Sequence, residues 1–180
     1  MTRTFLAADV DDAVLDGAAS VVSALPLRCR WVKREVMHAT VRFLGDVDDE
    51  RLAKLVALVP GLVPGRTDAP RVRVSRVDAF PDLRRARVLV LPLEDEGALA
   101  AAHDELEDHL VALGFEREKR GYRAHLTLAR FREPADVRKG IAGVHPSFEG
   151  RVPSLTLYAS VLGKEGPTYT VLARRAFAQP

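Results

Sequence analysis

The sequence predicts an α+β chain of two similar lobes, with two antiparallel-rich sheets lining a central cleft and helices outside. Three observations lead there. Apolar runs of period two alternate along the chain with runs of helical period. The links between them are short, without the long crossovers that a doubly wound parallel sheet needs. The triplet His38-Ala39-Thr40 returns 87 residues later, near half of the 180-residue chain, as His125-Leu126-Thr127.

Residues 4–9 form a first strand. Residues 11–25 form a helix, because Asp11 and Asp12 suit the positive end of its dipole and Pro26 stops it. Residues 27–32 are extended or loop, and Trp31, the single tryptophan, anchors the core or the lobe boundary. The first His-x-Thr strand covers 36–44. Met37, Ala39, Val41 and Phe43 make its apolar face; Val36, His38, Thr40 and Arg42 make the other, as a cleft wall requires. Gly45-Asp46 turns the chain, and Asp48 and Asp49 open a helix with Leu52, Leu55, Val56 and Val59 at helical spacing. Pro60-Gly61 and Pro64-Gly65 mark a loop. Residues 70–79 and 86–93 read as antiparallel neighbours joined by a hairpin-like connection from Phe80 to Arg85. A helix over 96–113 carries Leu99, His103, Leu106, Leu110 and Leu113 on one stripe and ends at Gly114. His103 belongs to that core stripe, and His109 beside it to the surface. The second His-x-Thr strand covers 124–131, a short helix follows over 133–142, and 151–162 and 167–177 close the chain as a hairpin.

Composition narrows the function. Hydrophobic residues make up 47% and charged residues 29%, ordinary values for a globular domain. No stretch of 18 apolar residues offers a membrane span. The first residues reach Asp9 before a secretion signal could form, which predicts a cytoplasmic protein. Cys29 is the only cysteine, so a disulfide within the chain and a cysteine-based zinc site are both excluded. No His-x-x-x-His pair exists either, which favours metal-independent chemistry. A net charge of +2 is too small for a general polyanion binder. Three local basic clusters stand out: Arg71, Arg73 and Arg76; Arg84, Arg85 and Arg87; Arg117, Lys119, Arg120 and Arg123. They are either solvated faces or the rim of a groove that attracts a polyanion.

With 8 threonines and 5 histidines in the chain, chance supplies about 0.2 His-x-Thr triplets. The related His145-Pro146-Ser147 contains a proline unsuited to a strand interior and reads as loop. In a strand, residues i and i+2 share a face, so each motif presents an imidazole beside a hydroxyl. Two such pairs facing each other supply an acid, a base and two hydroxyls around a small anion. Imidazole titrates near neutrality, so one ring can accept a proton while the other donates one. That set suits cleavage of a phosphodiester. A guanidinium would complete it. Arg42, at +4 from His38, has the right parity. Arg130, at +5 from His125, reaches the phosphate only if the strand ends, twists or bulges near Ala129. Both could equally form rim salt bridges.

These residues resemble the 2H phosphoesterase superfamily, and most closely its RNA 2′,3′-cyclic phosphodiesterases, also called 2′-5′ RNA ligases. The resemblance runs through Phe5-Leu6-Ala7-Ala8-Asp9, Arg30-Trp31-Val32, His38 to Gly45, Ala79-Phe80-Pro81, Arg84 to Leu89, and Arg123 to Arg130. Lys33 to Met37 departs from the family's usual Pro and Asn. The resemblance implies a single bilobal, pseudo-twofold domain over 1–180. It implies hydrolysis of an RNA terminal 2′,3′-cyclic phosphate to a 2′-phosphomonoester, with 2′-5′ ligation as the reverse reaction. His38 would be the proton donor and His125 the proton acceptor. Thr40, Thr127 and Arg130 would bind the phosphate. No metal or nucleotide cofactor is implied, and the expected partner is RNA or a cyclic nucleotide, met by a monomer away from membranes. The alternatives are a 2H hydrolase of a small cyclic phosphate or 2′-5′ oligonucleotide, and an RNA-end-binding module without catalysis.

Overall fold

The computed structural model describes residues 1–62, 68–163 and 166–178. The loop expected at Pro64-Gly65 and residues 164 and 165 of the closing turn lie outside them. The chain runs β1 (Thr2–Asp9), α1 (Asp12–Ala24), β2 (Arg30–Trp31), β3 (Ala39–Val47), α2 (Asp49–Leu58), β4 (Arg71–Val74), β5 (Asp78–Phe80), β6 (Ala86–Pro92), α3 (Ala98–Ala112), β7 (His125–Ala135), α4 (Arg138–Ile141), β8 (Phe148–Arg151), β9 (Ser154–Gly163) and β10 (Gly166–Ala176).

Asp11 and Asp48 cap α1 and α2, each accepting a bond from the backbone N–H three residues on. Gly114, at φ +81°, ends α3 in the left-handed conformation that glycine adopts without cost. The apolar faces of these helices enter one buried cluster, with Val14 and Ala18 from α1, Leu55 from α2, and Leu99, Leu106 and Leu110 from α3. Ala39, Leu126 and Leu128 meet them from the strands. Each buried leucine contributes roughly 1.5–3 kcal/mol. No helix among the described residues is long and apolar enough to cross a membrane.

Eight strands form one sheet in the order β10-β9-β1-β3-β7-β6-β5, with β2 added to β7; β4 and β8 form a separate ribbon. Among the described residues every pairing between these strands is antiparallel, and an isolated parallel bridge joins Asp68 to Ala178. The expected two sheets are therefore two halves of one sheet. Their seam, between β3 and β7, is the single pair Ala39↔Leu126.

The segment expected as one strand over 70–79 divides. Residues 71–74 leave the main sheet to pair with β8, and 78–80 stay with β6. The final hairpin begins at Ser154, later than expected, because 148–151 is the separate strand β8. Two close approaches hold β8 against α1: a Cβ on Gly17 would meet the Phe148 ring at 2.5 Å, and one on Gly150 would meet the Val14 side chain at 2.6 Å. The helix expected over 133–142 shrinks to one turn, since β7 continues to Ala135.

Candidate active site

The seam decides what faces the cleft. Ala39 and Leu126 stand opposite each other and are fully buried toward the core. Their neighbours point the other way. Continuing the same register sets His38 opposite Thr127 and Thr40 opposite His125. All four side chains share the cleft face, and all are half-buried. The strand expected to begin at residue 36 begins instead at Ala39, after a 3-10 turn over Arg34–Val36 that leads His38 into the seam.

Both rings are held the same way. His38 Nδ1 lies 2.9 Å from the Val36 carbonyl, and His125 Nδ1 lies 2.7 Å from the Arg123 carbonyl. A carbonyl only accepts, so each Nδ1 carries a proton and each Nε2 is the nitrogen left to gain or lose one. His38 Nε2 is 3.1 Å from Thr40 Oγ1; the hydroxyl donates to the neutral ring and accepts from the imidazolium. Burial pushes both imidazoles below their ordinary range, and the Arg130 charge pushes in the same direction. The carbonyl acceptors oppose that shift in both. Only His38 also feels a carboxylate, Asp9, which favours its protonated form.

Arg130 reaches this face through a bulge. Leu89 pairs with Ala129 and Val90 with Thr127, so Leu128 is an extra residue. Leu128 and Ala129 are consecutively buried, and Arg130 returns to the side of His125. Among the described residues it has no carboxylate partner. The first motif bulges at the matching place: Leu6 pairs with Arg42 and Ala7 with Thr40, leaving Val41 over. There the shift turns Arg42 away from the cleft. Its Nε donates to Glu107 at 2.5 Å and its Nη2 to the Glu116 carbonyl at 2.6 Å. Arg42 is therefore a partly buried structural cation, and the parity that offered it as a phosphate clamp fails at the bulge. Phe43, 58% exposed, takes the position matching Arg130.

Several cleft residues carry no motif. Phe5 stacks on the His38 ring at 4.8 Å, and Tyr169 meets it edge-on at 5.4 Å. Phe80 meets the His125 ring edge-on at 5.0 Å. Asp9 accepts bonds from Ser154, Thr156 and Tyr158, each at 2.6 Å. The alternation of these three partners along β9 is the one sequence signal that could have marked them. His103 is a core residue as expected, 5% exposed and stacked on Tyr122 at 4.9 Å. Among the described residues no three His, Cys, Asp or Glu side chains form a metal-binding group.

Paired His-x-Thr strands at the seam of an antiparallel sheet define the chain as a 2H phosphoesterase. It belongs to the 2′-5′ RNA ligase superfamily, whose family model matches residues 14–163. It is 31% identical over 175 residues to an RNA 2′,3′-cyclic phosphodiesterase of Archaeoglobus fulgidus, covering 93% of this chain and 96% of the relative. It is 30% identical to the protein of the same name from Thermotoga maritima, covering 94% and 92% of the two chains. Among solved structures, the protein TT0787 of Thermus thermophilus superposes with a TM-score of 0.80 over 97% of both chains at 29% identity.

Proposed function

We propose that the protein hydrolyses the 2′,3′-cyclic phosphate at an RNA end to a 2′-phosphomonoester, with His38 as general acid and His125 as general base. The observation that carries this reading is the seam register, which sets two imidazoles and two hydroxyls around one opening. Neutral His125 takes a proton from water through Nε2. Water attacks phosphorus in line with the departing 3′ oxygen, and His38 protonates that oxygen as its bond to phosphorus breaks. Each proton transfer is worth about 10²–10⁴-fold. Thr40, Thr127 and Arg130 hold the phosphoryl oxygens, where fixed donors are effective because they need no reorganisation. Asp9 supports the assignment of the acid, because it favours imidazolium at His38 and nothing comparable acts on His125. Tyr158 and Tyr169, packed beside His38 on the buried Phe5 ring, suit the sugar and base attached to the leaving oxygen.

Phosphorus NMR of a 2′,3′-cyclic nucleotide incubated with the protein in EDTA tests the proposal. The expected product is the 2′-monophosphate alone. A 3′-monophosphate, or no turnover until zinc is added, overturns it.

The pH dependence follows from the two depressed imidazoles. In the free protein His125 must be neutral and His38 protonated, so both limbs of kcat/KM fall below pH ~6.5. A bound anionic phosphate favours imidazolium, so the basic limb of kcat lies at higher pH than that of kcat/KM. Asp9→Asn removes a charge that favours His38 imidazolium and moves the basic limb further down, leaving the acidic limb in place. Asp9 is a positioning residue here, and an unmoved basic limb refutes that role.

A further inference from the structure

An open pocket of about 570 Å³ lies beside His125, on the β5–β6 side of the cleft, with Arg84, Arg85, Arg123 and Arg138 in its wall beside the carboxylates of Asp78 and Asp82. The register places it on the reactive face: Phe80 pairs with Val88, Val88 with Arg130, and Val90 with Thr127. Phe80 is the shared wall, edge-on to the His125 ring. The Arg123 side chain lines the pocket while its carbonyl fixes His125.

The guanidinium groups are unequally committed. Arg138 is held by the carboxylate of Asp136. In the 84–85 turn, Asp82 accepts only from the backbone N–H groups of Arg84 and Arg85. Among the described residues, the side chains of Arg84, Arg85 and Arg123 form no hydrogen bond or ion pair. In the other basic clusters Arg73 and Arg76 are held by Glu94 and Arg117 by Asp108, while Arg71, Lys119 and Arg120 lie outside the wall of this pocket. Three unpaired guanidinium groups gathered at one aromatic-walled pocket are a site for a phosphodiester backbone.

Which strand binds there follows from in-line geometry. The sugar that carries the cyclic phosphate departs through the oxygen at His38. The nucleophile enters from the opposite side, at His125. The pocket adjoins the entering side.

We propose that this pocket holds the first internal phosphate of an RNA strand that presents its 5′-hydroxyl to His125. This rests on the cyclic phosphodiesterase reading and adds an acceptor subsite to it. In the step served, the 5′ oxygen bonds to phosphorus and gives its proton to His125 Nε2. The bond from phosphorus to the 3′ oxygen breaks, and that oxygen takes a proton from His38. The product is a 2′-5′ phosphodiester with a free 3′-hydroxyl, and no other reactant is consumed.

The test supplies a 2′,3′-cyclic mononucleotide together with a short RNA bearing a 5′-hydroxyl, and separates hydrolysed from ligated product. With the unsubstituted protein the oligonucleotide inhibits hydrolysis and diverts part of the nucleotide into 2′-5′ product. In Arg84→Gln/Arg85→Gln, at two exposed turn positions, both effects weaken by about ten- to a hundredfold in oligonucleotide concentration. Hydrolysis of the mononucleotide alone stays within about twofold, since the substitutions leave the residues at phosphorus untouched. Absence of inhibition and of ligated product with the unsubstituted protein overturns the subsite while leaving the hydrolase intact. Equal loss of mononucleotide hydrolysis in the variant also overturns it, placing the arginines at the reacting phosphate. Slower hydrolysis of cyclic-phosphate oligomers with unchanged acceptor inhibition assigns the pocket to the departing strand instead. Failure of the unsubstituted protein to hydrolyse the mononucleotide refutes the underlying reading, separately from the subsite.

Discussion

His38→Ala and His125→Ala each lower kcat for cyclic phosphate hydrolysis by about 10²–10⁴-fold, the range for a single general acid or base. Neither ring is a core residue, so the variants keep the circular dichroism of the parent. The two losses differ in form. Without His38 the basic limb of the pH profile disappears, because protonation of the leaving oxygen then falls to water. Without His125 the acidic limb disappears. The double variant loses little more than either single one, because the two groups act in the same transition state and their effects do not add. Full turnover in either single variant refutes the acid–base assignment. An exchange of the missing limbs reverses the roles of the two histidines and keeps the rest.

Arg42→Ala destabilises the fold by about 3–5 kcal/mol, the cost of stripping one partner from a buried ion pair. Glu107 is 1% exposed on its side chain and Arg42 14%, so water has little access to replace the guanidinium at the Glu107 carboxylate. The loss leaves the Glu107 carboxylate with the Glu118 backbone N–H as its remaining donor. In a domain of this size such a loss lowers Tm by roughly 10 °C. Arg42→Ala/Glu107→Leu recovers part of it, since an apolar pair avoids burying an unpaired charge. Arg42 faces away from the cleft, so kcat of the folded protein is unchanged. A normal Tm with impaired turnover would return Arg42 to the role that strand parity first offered.

That reversal marks the limit of what the sequence discloses. His38, Thr40, His125 and Thr127 were legible because a period of two is local and survives in each strand up to the hydroxyl residue. One residue later it fails in both. Val41 and Leu128 are ordinary apolar residues, with none of the glycine signals that announce a bulge. The same bulge brings Arg130 in and turns Arg42 out, and the two outcomes differ only in starting parity. Residues 148–151 were unreadable as a strand for another reason: their partner lies far back at 71–74, and their packing depends on two glycines rather than on apolar alternation. Asp9 was visible as the end of a strand, but its task depends on β9, 149 residues on at Tyr158, and no local pattern reports that.

The single-pair seam has a mechanical consequence. Tilting of one sheet half against the other displaces each atom in proportion to its distance from that pivot. The imidazoles flank the pivot, so their separation is the quantity least affected. The outer margins, near Tyr169 on one side and Arg84 on the other, travel furthest. A change in the tilt of the two halves would therefore alter the margins of the cleft before it altered the spacing of the two rings.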